Sequence, residues 1–111
     1  MEATAAGGAQ GAPNKPWALV TGGSRGIGAA ISKALAAAGH PILLNYRSND
    51  AAAEAVKAEI EAKGGHVRLL RFDVVDREAT FAAIDALVEE GLPIGVLVNN
   101  AGVSADNAFP M

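Results

Sequence analysis

The chain has 111 residues, half of them hydrophobic, with nine Lys and Arg against twelve Asp and Glu, a formal charge of -3, and no cysteine. That length suits one compact domain and not two, and the lack of a basic block argues against nucleic acid as a partner. Without cysteine there is no disulfide framework, thiolate zinc site or Cys nucleophile.

The opening segment MEATAAGGAQGAPNKP has no basic region followed by an apolar run and carries no Arg, unlike a secretory or organellar address. Nor is there an apolar stretch of roughly 18 residues that could span a bilayer. A soluble cytoplasmic protein without membrane partners is the expectation. Met1 to Lys15 are mostly Ala, Gly, Gln and Pro, too poor in large apolar groups to offset the entropy of ordering, and are expected to form a mobile tail.

From Pro16 onward short apolar runs alternate with segments of 3.6 periodicity, which is how βαβ units read. Trp17-Ala18-Leu19-Val20 is apolar on both faces, as in a parallel strand covered on both sides. Beyond a glycine cluster, Ile27, Ala30, Ile31, Ala34, Leu35 and Ala38 recur at helical spacing, with Gly39 placed to end the helix. Pro41 to Tyr46 predicts a second strand, with Pro41 tolerated at its first position. Asp50 to Lys63 predicts a helix with Val56 and Ile60 on one face, a Glu59–Lys63 ion pair at its surface, and Gly64 and Gly65 at its end. His66 to Phe72 predicts a third strand, at an edge because Arg68 and Arg71 interrupt its alternation. Asp76 can cap a third helix with Glu78 in its first turn, a buried stripe of Phe81, Ile84, Leu87 and Val88, and Gly91 and Pro93 closing it. Ile94 to Val98 is a fourth strand, followed at once by Asn99-Asn100-Ala101-Gly102, and Val103 to Met111 read as loop.

Thr21-Gly22-Gly23-Ser24-Arg25-Gly26-Ile27-Gly28 therefore lies between a strand and a helix, the context that a phosphate-binding glycine motif requires. Gly22 permits the tight turn, Gly26 removes a Cβ where a backbone must approach a pyrophosphate, and Gly28 lets the first helical turn lie close to the sheet. The helix N-terminus directs unpaired N–H groups and partial positive charge at the anion. The spacing is G-x-x-x-G-x-G, which is neither G-x-G-x-x-G nor the P-loop pattern.

TGGSRGIG after the first strand and NNAG after the fourth resemble the two cofactor motifs of the short-chain dehydrogenase/reductase family, in that family's order, with Asp73 following the third strand. The resemblance covers Trp17 to about Met111. It implies an α/β fold, a Rossmann-type doubly wound parallel sheet of strand order 3-2-1-4, of which residues 16–111 would be the cofactor-binding part. It also implies that Thr21 to Gly28 hold the pyrophosphate and adjacent ribose and that Asp73 with the Val74 backbone contacts adenine. Asn99, Asn100, Ala101 and Gly102 would support the sheet centre and contact the adenosine ribose, with Asn100 the direct contact.

The cofactor expected is NADP(H). NAD-preferring folds place an Asp or Glu about 20 residues beyond the glycine loop to bind the ribose 2′-OH. Here the second strand ends in Asn45-Tyr46-Arg47-Ser48, with no carboxylate before Asp50. A 2′-phosphate would meet the planar Arg47 fork and the Ser48 hydroxyl beside Tyr46, and the resemblance implies that Arg25 reaches the same phosphate: two cations and no anion.

Other residues carry less. His40 and His66 have no paired acid or nucleophile, Trp17 is packing, Glu89-Glu90 is a solvated face, and Ser24 has no base beside it. No metal ligands are expected.

Catalysis in the family depends on a Tyr, a Lys four positions later and a Ser. The one tyrosine is Tyr46, with Asp50 four positions on, so no Y-x-x-x-K exists. The expectation is a chain that stops before the catalytic segment, leaves its fourth strand as an exposed apolar edge and shows no turnover alone. NYRSN and NNAGVSADNAF are most similar to 3-oxoacyl-[acyl-carrier-protein] reductases, whose substrate is a carrier-bound carbonyl. Ala105 stands where those reductases often carry Arg, and Gly95 where Asp is common. A broader carbonyl or steroid-type reductase, an antibiotic-pathway ketoreductase and a non-catalytic NADP(H)-binding module remain open, whereas NNAG counts against a methyltransferase. The full-length protein would act on a small-molecule or carrier-bound carbonyl as a homo-oligomer, as family members do.

Overall fold

The computed structural model describes residues 15–100. The expected tail before Lys15 and the segment Ala101 to Met111, including the site candidates Ala101 and Gly102, lie outside the described residues.

The described chain runs β1 (Trp17–Thr21), α1 (Gly26–Ala37), β2 (Ile42–Tyr46), α2 (Asp50–Ala62), β3 (Val67–Arg71), α3 (Arg77–Glu89) and β4 (Ile94–Asn99). All strand pairs are parallel and their order is β3-β2-β1-β4, the 3-2-1-4 order of a Rossmann-type sheet. Pro41, His66 and Phe72 fall just outside the strands expected to hold them, and Lys63 just outside α2. Asn49 caps α2 and Asp76 caps α3, each accepting an amide of the first turn. The helices end against Gly39, Gly64 and Gly91, all at positive φ. Among the described residues no helix is long and apolar enough to cross a membrane.

The apolar runs of β1 and β2 are explained by the two layers that cover them. Ala18, Val20, Ile42 and Leu44 pack toward α1 and α2 with Ala29, Ala53, Val56 and Ile60. Leu19 and Leu43 point the other way and meet Leu87 of α3, flanked by Trp17, Leu70, Ile84 and Ile94. Every residue of β2 is buried, and full burial of a Leu such as Leu43 or Leu44 stabilises the fold by about 1.5–3 kcal/mol.

Four surface expectations are corrected. The stripe of α3 is narrower than its periodicity indicates: Leu87 is buried, but Phe81 is 61% and Val88 66% exposed. Leu97 pairs with Leu19 in register, so it lies on that same face, and it too is exposed. One turn of α3 reaches the sheet, and the described residues place nothing over the rest. Glu59 pairs not with Lys63 but with Lys33 of α1 at 2.8 Å, because packing brings the neighbouring helix closer than the next turn. Glu90 is not simply solvated, since its carboxylate takes both terminal nitrogens of Arg68 at 2.5 and 2.6 Å. Lys15, assigned to the tail, donates to the Ala38 carbonyl at 2.7 Å, where a cation complements the C-terminus of α1.

Gly95 marks the register shift between β1 and β4. A Cβ there would stand 2.6 Å from the Pro16 ring, so the Asp common in the resembled reductases does not fit this packing.

Candidate functional site

β1 is flanked by β2 on one side and β4 on the other, so the connections leaving its C-terminal end diverge and open a crevice at the switch point. A cleft of about 680 Å³ lies there. One wall is the glycine turn and the start of α1 (Gly22, Ser24, Arg25, Gly26, Ile27), and another is the end of β2 (Asn45, Tyr46, Arg47). The segment from Phe72 to Val75 and the side of Asn100 complete it.

The amino end of α1 differs from those of the other helices. Its N-cap, Arg25, makes no side-chain cap and its first turn has no acid, whereas α2 and α3 are capped by Asn49 and Asp76 and carry Asp50 and Glu78. Three or four backbone N–H groups at such an end lack intrahelical partners, and the dipole there favours an anion. Gly22 and Gly26 hold left-handed φ values of 61° and 54°, and a Cβ on Gly26 would have nothing within 4 Å. The turn is therefore open on its cleft side. It is closed behind: a Cβ on Gly28 would run into the Gly22 carbonyl and stand 2.7 Å from the Asn100 amide nitrogen. The residues present fit a diphosphate at the α1 terminus.

Asn100, the expected direct contact, lines the cleft, and its amide donates to the Gly22 carbonyl at 3.1 Å, tying the end of β4 to the glycine turn. Thr21, Gly23 and Gly28 are buried behind the lining, and Ser48 and Asn99 are exposed without being part of it. The Thr21 hydroxyl donates to the Val98 carbonyl and reaches the Asn99 side-chain oxygen, both at 3.3 Å, which joins β1 to β4. Tyr46 lines the cleft, yet its hydroxyl donates to Asp50 at 2.6 Å and is thereby pushed above the ordinary tyrosine range. The same carboxylate takes Arg71 at 3.1 Å.

The balance of two cations and no anion is also corrected. Arg25 and Arg47 both line the cleft, but folding brings the Asp73 carboxylate to 3.5 Å from the Arg47 Nε. Asp73 holds its own loop as well, accepting the Val75 amide at 3.0 Å, and the Val74 carbonyl accepts the Thr80 hydroxyl at 3.3 Å.

Asn45 was absent from the sequence candidates. It is 2% exposed; its oxygen accepts the Gly22 amide at 3.1 Å, and its nitrogen donates to the Phe72 carbonyl at 2.9 Å and the Leu70 carbonyl at 3.3 Å. The signal was one amide inside the otherwise apolar run Ile42 to Tyr46, since a buried polar side chain implies partners. Among the described residues no cluster of His, Cys, Asp or Glu could hold a metal.

A family model described as short chain dehydrogenase matches residues 16–111. The acetoacetyl-CoA reductase of Paracoccus denitrificans is 50% identical over 92 residues, covering 83% of this chain and 36% of that protein. The 3-oxoacyl-[acyl-carrier-protein] reductase of a Synechocystis species is 44% identical over 89 residues, covering 80% of this chain and 36% of that protein. The chain thus spans 36% of the length of these curated relatives. A dehydrogenase/reductase structure from Sinorhizobium meliloti superposes with a TM-score of 0.70 at 46% identity, over 76% of this chain and 33% of that one. A short chain dehydrogenase from Burkholderia cenocepacia, solved in complex with NADP, gives 0.69 at 44% identity over 76% of this chain and 34% of that one.

Proposed function

The chain belongs to the short-chain dehydrogenase family, and from that premise we propose that its cleft holds the adenosine and diphosphate part of NADP(H) in a reductase of 3-oxoacyl thioesters. The observation that carries this reading is the uncapped, acid-free N-terminus of α1 opening between Arg25 and Arg47. The α1 amides and the turn at Gly22 and Gly26 receive the diphosphate, with Thr21, Gly23, Ser24, Ile27 and Gly28 shaping the turn. Arg47 and Arg25 take the 2′-phosphate beside Tyr46 and Ser48. Asp73 and Val74 border the adenine, and Asn99 to Gly102 support the ribose side. When bound, the nicotinamide supplies a hydride to the substrate carbonyl carbon.

The substrate class is supported by the names of the two curated relatives, one a reductase of acetoacetyl-CoA and the other of a 3-oxoacyl carrier protein. Both names describe 3-oxoacyl thioesters. Fatty acid biosynthesis, a cytoplasmic setting and a homo-oligomeric full-length enzyme belong to the same proposal. Residues 16–111 serve in it as the cofactor-holding part of a Rossmann domain. Because these 111 residues contain no Tyr-x-x-x-Lys, a second reading, cofactor binding without turnover, describes the chain by itself.

Fluorescence titration of the 111-residue chain tests the cofactor. NADPH should bind about tenfold more tightly than NADH, the worth of one charge-assisted hydrogen bond. Equal affinities would overturn the NADP(H) reading. Acetoacetyl-CoA and NADPH should give no turnover with this chain alone, and measurable turnover would sink the cofactor-only reading.

A further inference from the structure

We propose that Asp73 is a specificity-determining positioning residue: it orients the Arg47 guanidinium for the 2′-phosphate, and so sets much of the preference for NADPH over NADH. This rests on the NADP(H) reading above.

The two residues meet because β2 and β3 are parallel neighbours, with Tyr46 opposite Arg71 in register. The residues just past both strand ends therefore emerge side by side at the cleft, although 26 positions separate them in sequence. Their situations differ. Asp73 is held by backbone: its Oδ1 accepts the Val75 amide at 3.0 Å and its carbonyl accepts the Asp76 amide at 2.9 Å. The Arg47 side chain is 80% exposed, and Asp73, at 3.5 Å, is its polar partner among the described residues. A fixed carboxylate thus stands beside the Nε edge of a long, rotamer-rich cation.

That edge matters chemically. A guanidinium engaged through Nε keeps Nη1 and Nη2 for a second oxyanion, and those two donors match a phosphate in the bidentate way. Binding a 2′-phosphate then requires less ordering of Arg47, a saving that NADH cannot use because its 2′-OH presents no such oxyanion. Asp73 also repels a phosphate, and one bound at the far edge of the same guanidinium lies within the screening length of about 8 Å, so salt weakens that repulsion without removing it. Orientation is proposed to outweigh it. The two effects have opposite signs, so one measurement separates them.

The test titrates NADPH and NADH separately into the wild-type 111-residue chain, Asp73→Asn, Arg47→Gln and the double variant. Asn keeps a side-chain oxygen for the Val75 amide, so the turn is preserved while the charge is lost. Any contact of Asp73 with adenine is common to both cofactors and cancels in their affinity ratio. Asp73→Asn should lower the NADPH-to-NADH ratio about threefold, within the range of exposed ion pairs, and should leave it unchanged once Arg47 is Gln. The ratio of adenosine 2′,5′-bisphosphate to AMP should follow the same pattern without a nicotinamide. If Arg47→Gln lowers the ratio but Asp73→Asn leaves it unchanged or raises it, the positioning role is overturned while the NADP(H) reading stands. If the wild type shows no preference and Arg47→Gln changes nothing, both fall together.

Discussion

The Asn45 side-chain oxygen accepts the Gly22 backbone amide at 3.1 Å, joining the second strand to the glycine turn from inside the sheet. Asn100 holds the carbonyl of the same glycine from the other side, also at 3.1 Å. Because Asn45 donates as well to Phe72, one buried amide connects the glycine-turn wall of the cleft with the wall at Asp73.

Replacing Asn45 with Leu keeps the branched heavy-atom skeleton, adds some volume and removes the hydrogen bonds. Buried groups left without partners cost about 1–3 kcal/mol each, so Asn45→Leu should lose at least about 2 kcal/mol in urea unfolding. NADPH affinity should fall even where circular dichroism shows the native fold. A variant with wild-type stability and affinity would refute the role given to Asn45.

Gly26 and Gly28 should respond differently to a methyl group. Gly26→Ala meets open space but must keep a left-handed φ, which costs about 1–2 kcal/mol. Its larger effect should be on NADPH binding, since the new Cβ stands at the cleft. Gly28→Ala pushes a Cβ into the Gly22 carbonyl and the Asn100 amide, so melting temperature and affinity should fall together. Equal melting temperatures for the two variants would contradict the packing described.

Phe81 and Leu87 lie on the same helix but should differ sharply in stability. Leu87→Ala empties a buried site and should cost about 2–5 kcal/mol. Phe81→Ser acts at a 61% exposed position and should stay within about 0.5 kcal/mol. Chemical denaturation of both variants measures the difference.

Tyr46 is the single tyrosine of the chain, so alkaline absorbance titration reports one hydroxyl. Its folded-state pKa lies above the ordinary value of about 10, chiefly because the hydroxyl donates to Asp50. The stability it contributes is fully present below that ordinary value and is lost as pH rises through the raised one. In Asp50→Asn the midpoint should move back toward 10, and an unmoved midpoint would show that the hydrogen bond is not the cause.

Acid acts on two other carboxyls in the opposite sense. Hydrogen bonds from Lys33 and Arg68 hold Glu59 and Glu90 below the usual Glu range. Their stabilisation is present above the unfolded value of about 4.3 and is lost as pH falls through the lowered one. Melting temperature should drop on acidification below that point, and less so in Arg68→Gln. Both pairs are exposed, so high salt should shrink the difference.

What was legible in the sequence was local or periodic. Continuous apolar runs such as Trp17 to Val20 and Ile42 to Leu44 identify strands covered on both faces, since only burial on two sides tolerates so little polarity. Helical spacing locates α1, α2 and α3, and capping chemistry at Asp76 and glycine stops at Gly39, Gly64 and Gly91 locate their ends within a residue or two. The glycine pattern from Gly22 to Gly28 locates the turn between β1 and α1, because Gly22 and Gly26 take left-handed φ and Gly28 has no room for a Cβ.

Tertiary structure decided everything that depends on distant segments meeting. Periodicity gives α3 an apolar side, but only the packing of the described residues shows that Leu87 is covered and Phe81 is 61% exposed. Glu59 has a partner available one turn away, yet packing of α1 on α2 gives it Lys33. Arg47 read as a cation without a nearby anion, because Asp73 is remote in sequence and adjacent only through the parallel pairing of β2 with β3. Asn45 was an anomaly in a hydrophobic strand until the fold supplied Gly22 and Phe72 as its partners. Sequence separation does not measure distance once strands align in register, and for that reason the turn could be read from its own residues while the contacts that brace and tune it could not.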